Sequence, residues 1–231
     1  MRISNWLITL LLALSVGACG GGSPEATYPD PAKYPVRGID ISAHNGDMDF
    51  DKVKGEGYEF VFIKATEGGT FRDKKFVDNH REALAAGLKV GAYHFFRFDI
   101  PGYIQGLNFA SAIEGRHLDL PAVIDLEEWT NPNEQATGLI VDRLGEMIDH
   151  LESRGHRVMV YTNKNGYERF IRPLPRSVDL WICSLGAEPD RGEWTFWQST
   201  HRGSVAGSDR LVDINAFAGT RADWVEWLMK K

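Results

Sequence analysis

From residue 37 onward, short apolar runs alternate with segments of helical period. Residues 38–42 and 58–65 (YEFVFIKA) read as strands. Residues 76–86 have helical spacing, and Gly87 is a C-terminal stop. Residues 88–95 form a third strand, 103–113 a helix after Pro101, and 120–126 a fourth strand. A long helix is predicted from Asn133. Its apolar positions Ile140, Leu144, Met147, Ile148 and Leu151 recur at helical spacing, and Gly155 ends it. Residues 157–161 are a fifth strand and 163–170 a short helix. Strands over 178–183, 194–199 and 211–217 follow with loops between them. Residues 221–231 close as a helix anchored by Trp224, Val225 and Leu228.

Strands separated by helices imply a parallel sheet. Eight strands and about five helices predict a single-domain α/β fold, a modified TIM-like barrel whose helices degenerate in the last third. An open doubly wound sheet is the alternative. No internal repeat is present.

The first residues have a different pattern. Arg2 precedes an uncharged apolar run over residues 6–16. That run is shorter than the ~20 residues a spanning helix needs. It ends in Gly17, Ala18 and Cys19, so residues 1–18 read as a signal peptide. Val16-Gly17-Ala18-Cys19 also resembles a bacterial lipobox, whose Cys19 is lipidated after cleavage. Residues 19–36, rich in Gly and Pro, are then a flexible tether, and 37–231 the folded domain. The expectation is an exported protein that meets a bacterial membrane through its lipid alone. Gly20 lacks the Asp that retains lipoproteins at an inner membrane, which points to an outer membrane where the cell has one.

Composition narrows the function. With 26 basic against 32 acidic residues the charge is −6, which argues against nucleic acid as a partner. Two cysteines make no disulfide framework, and Cys183 lies in an apolar run that predicts burial. None of the seven histidines sits in a metal-binding spacing, and no nucleophile elbow or phosphate loop occurs. No cofactor and no metal are expected. No heptad seam is present, and a monomer is expected.

The chemistry concentrates in carboxylates. Active sites of β/α barrels lie at the C-terminal ends of the strands. Asp40 ends the first predicted strand, Asp125 and Glu127 the fourth, and Asp213 lies in the last. Side chains alternate along a strand, so Asp125 and Glu127 share a face, their Cα atoms about 6.6 Å apart. Like charges this close push at least one proton affinity upward. In a closed barrel the last strand meets the first, so all four acids face one cavity. Glycoside hydrolysis needs this layout: one carboxylic acid to protonate the leaving oxygen, a second to act as nucleophile, base or stabiliser. Tyr93, Tyr161, Trp197, Trp129 and Glu67 are candidate substrate contacts, because aromatic rings offer flat area with a polar handle. Trp194, Trp224 and Trp227 read as structural.

The ordered segments Asp40-Ile41-Ser42 with Asn45-Gly46, Phe62-Ile63-Lys64-Ala65-Thr66-Glu67-Gly68, Gly91-Ala92-Tyr93-His94-Phe95, Asp125-Leu126-Glu127, Phe196-Trp197-Gln198 and Val212-Asp213-Ile214-Asn215-Ala216-Phe217 resemble glycoside hydrolase family 25. These are lysozymes of the N,O-diacetylmuramidase type. The resemblance spans about residues 37–218. It implies a modified eight-strand barrel and cleavage of the β-1,4 bond between N-acetylmuramic acid and N-acetylglucosamine in peptidoglycan glycan strands. It also implies Glu127 as general acid, with Asp125, Asp40 and Asp213 as further site acids. Whether a carboxylate or the substrate's acetamido group acts as nucleophile stays open. His44 and Glu128 depart from the family's usual residues. A non-cutting glycan-binding module and a hydrolase of chitin-like chains are the rival readings.

Overall fold

The computed structural model describes residues 28–132, 134–191 and 193–230. The predicted signal peptide and Cys19 lie outside the described residues. Among the described residues nine strands occur: β1 (Arg37–Ile41), β2 (Tyr58–Glu67), β3 (Phe71–Arg72), β4 (Lys89–Phe95), β5 (Ala122–Asp125), β6 (Val158–Asn163), β7 (Asp179–Cys183), β8 (Phe196–Gly203) and β9 (Val212–Phe217). The helices are α1 (Phe50–Gly55), α2 (Phe76–Ala85), α3 (Gly102–Ile113), α4 (Thr137–Ser153), α5 (Lys164–Gly166) and α6 (Arg221–Met229).

Neighbouring strands run in the order β1-β9-β8-β7-β6-β5-β4-β2, and β1 pairs with β2. The ring is therefore closed, and the open doubly wound sheet is excluded. β3 hangs outside it as a hairpin partner of β2. Seven ring strands are mutually parallel where they meet, but β9 runs antiparallel to both β1 and β8. The parallel sheet inferred from the helix-separated strands thus has one reversed member, among the last strands that loops join. Only residues 204–211 join β8 to β9, too few for the dozen or more residues a parallel crossover takes. Two further expectations shift. The long helix α4 starts at Thr137 rather than Asn133, and α1 has no counterpart among the predicted elements, because six residues with two apolar positions carry little period.

Alternation along the strands separates two cores. Ile39, Ile41, Val61, Ile63, Val90, Ile124 and Val160 face outward into the layer shared with α1–α4. Phe60, Phe62, Val123, Met159, Trp181, Phe196 and Phe217 fill the barrel. Two inward glycines make room for this aromatic load. A Cβ at Gly38 would lie 2.3 Å from the Phe60 ring, and one at Gly91 2.5 Å from Phe62. At the end where β2 and β8 begin, α6 supplies Trp224 and Trp227, stacked at 5.7 Å and packed on Phe60, Phe196 and Phe217. Thr220 caps this helix in a reciprocal box with Asp223. The barrel is plugged at one end, so the chemistry is confined to the other.

On the outer face of β8 and β9, among the described residues, the cover comes from Tyr34 and Trp194. Trp197 and Ala216 are covered by Tyr34, whose ring meets Trp197 at 5.7 Å and Trp194 at 5.8 Å. Tyr34 and Val36 are buried, so the packed chain reaches back into residues expected to belong to the tether.

Gly38→Ala should lower stability by about 1–3 kcal/mol, the usual cost of overpacking, because Phe60 is held by Phe62, Phe196 and Trp224 and cannot yield. Urea denaturation of the variant beside the parent checks this.

Candidate active site

The open end of the barrel holds a cavity of about 680 Å³, and all four predicted acids line it. Asp40 stands opposite Asp213 in the β1–β9 ladder. Asp213 reaches this end by the start of β9, not by its finish, because that strand is reversed. Asp125 is the last residue of β5. Leu126 turns outward into the helix layer, and Glu127 faces the cavity again.

An amide network fixes the Asp40–Asp213 side. Gln198 Nε2 donates to Asp40 Oδ2 at 2.9 Å and to Asp213 Oδ2 at 3.2 Å. Asn215 Nδ2 donates to Asp40 Oδ2 at 2.8 Å. Each amide is oriented from behind: Tyr161 OH donates to Gln198 Oε1 at 2.7 Å, and Trp181 Nε1 to Asn215 Oδ1 at 2.9 Å. Asp125 has no such support, and its buried Oδ1 lacks a hydrogen-bond partner among the described residues.

Burial is the main cause of the unusual proton affinities here. It raises Asp40 well above the carboxylate range, Asp213 adding repulsion. It raises Asp125 likewise, with Glu127 adding repulsion. Glu127 is pushed up to about 7 by burial and by Asp40, against the pull of Lys64. Asp213 is also pushed up to about 7 by burial, with Asp40 pulling back. Near neutral pH the cavity therefore holds protons that it can give.

The candidate contacts divide. Tyr93 and Tyr161 line the cavity, their hydroxyls held neutral chiefly by burial. Glu67 does so because of a bulge at Ala65. Lys64 pairs with Tyr93, but Thr66 pairs with His94 and Glu67 with Phe95. The extra residue turns Thr66 outward, onto buried His94, and Glu67 inward. Trp129 stands 72% exposed on the rim. It is followed by Thr130, whose left-handed backbone (φ 58°) aims a carbonyl at Arg97. Asn131 ties this loop to Phe96, Phe98 and the Glu127 carbonyl.

Trp197 does not belong to the cavity. Phe196 and Gln198 take the inward positions of β8, which leaves Trp197 outside, donating to Ser184 O and packed on Tyr34. Trp181 supplies the inward indole instead. Gln198, Asn215 and Lys64 are site residues that the sequence reading does not single out. Counting parity from Phe196 and Asp213 marks the two amides. Glu128 points away from the cavity and pairs with Arg169 at 2.6 Å. Cys183 lies beside the site, 3.5 Å from His201, its thiol pushed up to about 12 by burial.

The family profile described as glycosyl hydrolases family 25 matches residues 39–208. The chain belongs to this family. It is 33% identical to the lysozyme M1 of Streptomyces globisporus over 221 residues, covering 88% of this chain and 74% of that protein. It is also 33% identical to the autolytic lysozyme of Clostridium acetobutylicum over 185 residues, 79% of this chain and 56% of that longer protein. A family 25 glycosyl hydrolase from Bacillus anthracis superposes with a TM-score of 0.83 at 33% identity, over 90% of this chain and 100% of that one. Asp40, Asp125 and Glu127 fall inside the family profile. Asp213 lies beyond its end, and the β1–β9 pairing brings it to them.

These raised acids set the pH dependence of stability in this family 25 barrel. A carboxyl whose folded value is raised contributes stability at low pH, lost as pH rises through the folded value. With Glu127 and Asp213 near 7, thermal stability should fall between pH 5 and pH 8. Asp213→Asn should remove more than about 1 kcal/mol of that fall, since each tenfold gain in proton affinity on folding is worth about 1.4 kcal/mol. Melting temperatures of both proteins at the two pH values check it.

Proposed function

We propose that this family 25 enzyme is a muramidase. It hydrolyses the β-1,4 bond between N-acetylmuramic acid and N-acetylglucosamine in peptidoglycan. The observation that carries the reading is Glu127: a carboxyl at the cavity wall, beside a second acid, with its proton held to about 7. The names of the relatives, lysozymes and N,O-diacetylmuramidases, support the choice of bond.

In this reading the glycan lies across the open end of the barrel. Glu127 gives its proton to the glycosidic oxygen as the C–O bond breaks. Positive charge grows at the anomeric carbon, and the surrounding carboxylates stabilise it. Water adds to that carbon, and its proton returns to Glu127. The carboxyl of Asp125, at the cavity wall, accepts the N–H of the substrate's 2-acetamido group, the donor an N-acetyl sugar carries. Asp40 and Asp213, clamped by Gln198 and Asn215, hold the opposite wall. Tyr93, Tyr161 and Glu67 bind sugar hydroxyls, and Trp129 offers its exposed ring to a sugar face.

The location proposed from the sequence is export followed by lipid attachment at Cys19, with peptidoglycan glycan strands as partner and no cofactor. Among the described residues no helix is long and apolar enough to cross a membrane. A tether would keep the enzyme at high local concentration near its substrate.

A soluble form beginning at Gly20, and its Glu127→Gln variant, are incubated with purified peptidoglycan and the new reducing ends identified. N-acetylmuramic acid ends from the parent are expected, with at least about 100-fold less from the variant. N-acetylglucosamine ends would overturn the bond assignment. Sedimentation with the wall but no cleavage would make the protein a glycan-binding module.

A further inference from the structure

Lys64 is the lysine that reaches the cavity, and its position is unusual. Its side chain is 14% exposed. The ammonium lies over the faces of Phe71 (5.5 Å) and Phe95 (5.1 Å) and 2.8 Å from Glu67 Oε2. In a regular strand, residues three apart face opposite sides. Lys64 faces inward in step with Phe60 and Phe62, and the bulge at Ala65 turns Glu67 inward as well. The distortion of β2 thus sets an anion beside the cation at the wall of the acid cavity.

The groups around Lys64 come from every neighbouring strand. Asp125 and Glu127 face it from β5, Asp40 and Asp213 from β1 and β9, and the neutral Tyr93 from β4. Arg97, after β4, lies 3.8 Å from the other oxygen of Glu67 and 3.8 Å from Asp99. His44 and His201 also line the cavity. Glu67 is therefore shared between two cations, and Lys64 between Glu67 and the acids. Its charge pulls down the proton affinity of both Asp125 and Glu127, while Glu67 raises that of Asp125.

We propose that Lys64 and Glu67 are positioning residues that together set the pH range of the reaction. Lys64 keeps the Asp125–Glu127 pair from holding its proton too tightly to donate, and Glu67 limits how much of the ammonium charge the pair feels. This rests on the muramidase reading and gives Glu67 a role other than sugar contact.

The test is the pH dependence of kcat/KM on peptidoglycan for the parent, Lys64→Met, Lys64→Arg and Glu67→Gln. The parent's activity should fall above about pH 7, where Glu127 loses its proton. Lys64→Met should move that limb up, by about one pH unit, since removing a neighbouring positive charge raises a carboxyl's proton affinity. Glu67→Gln should move it down, and Lys64→Arg should leave it near the parent. Lower activity with unmoved limbs, or limbs moving the same way in both variants, would overturn the proposal. Should Lys64→Met fail to fold, the direction in Glu67→Gln decides alone. The side-chain ¹³C titration of Glu127 reads the same ordering without substrate. A parent inactive on peptidoglycan would thus sink the muramidase reading while the titration still judged the pair.

Discussion

Four carboxyl groups with raised proton affinity share one cavity, and the rest of the structure serves that constraint. Each would be ionised in water. Packed together above an aromatic core they repel one another and lose solvation, so their proton affinities rise. The barrel answers in two ways. On one wall the amides of Gln198 and Asn215 hold Asp40 and Asp213 by donated hydrogen bonds. On the other, Asp125 keeps an oxygen without a partner among the described residues, and Lys64 lines the same cavity. The first wall is satisfied within the protein; the second is not. Burial raises the acids of both walls, Glu127 and Asp213 to about 7, so the cavity holds protons near neutral pH.

The architecture makes the cavity possible by filling everything beneath it. Two inward glycines let the phenylalanines of β2 pack across the barrel, and the stacked tryptophans of α6 seal the far end. With that end closed, the strand ends opposite are the available cleft. Reversal of β9 then matters to function. It brings the start of that strand, rather than its finish, to the catalytic end, and so seats Asp213 across from Asp40. A parallel eighth strand would carry Asp213 toward the plugged end.

Local irregularities tune this frame. The bulge in β2 puts the charge of Glu67 in the cleft beside that of Lys64, where a regular strand would part them. Thr130 accepts a left-handed backbone, and Asn131 pins the loop behind Glu127 to the segment after β4. Strain of this kind persists where the surroundings over-determine it, and here the surroundings are the site.

Period and alternation in the sequence determined the eight ring strands, the α/β class and the inward face of Asp125 and Glu127, because these depend on neighbours along the chain. The ordered motifs identified the family for the same reason: each is local. Tertiary structure alone decided the direction of β9, since that follows from how a short connection can return to a closing ring. It decided that Trp197 lies outside under Tyr34 while Trp181 lies inside, because both strands read as apolar from either face. It also chose Gln198 and Asn215 as the clamps of Asp40. Amides carry no charge pattern to mark them, and their role exists only where distant strands bring donors to a buried carboxylate.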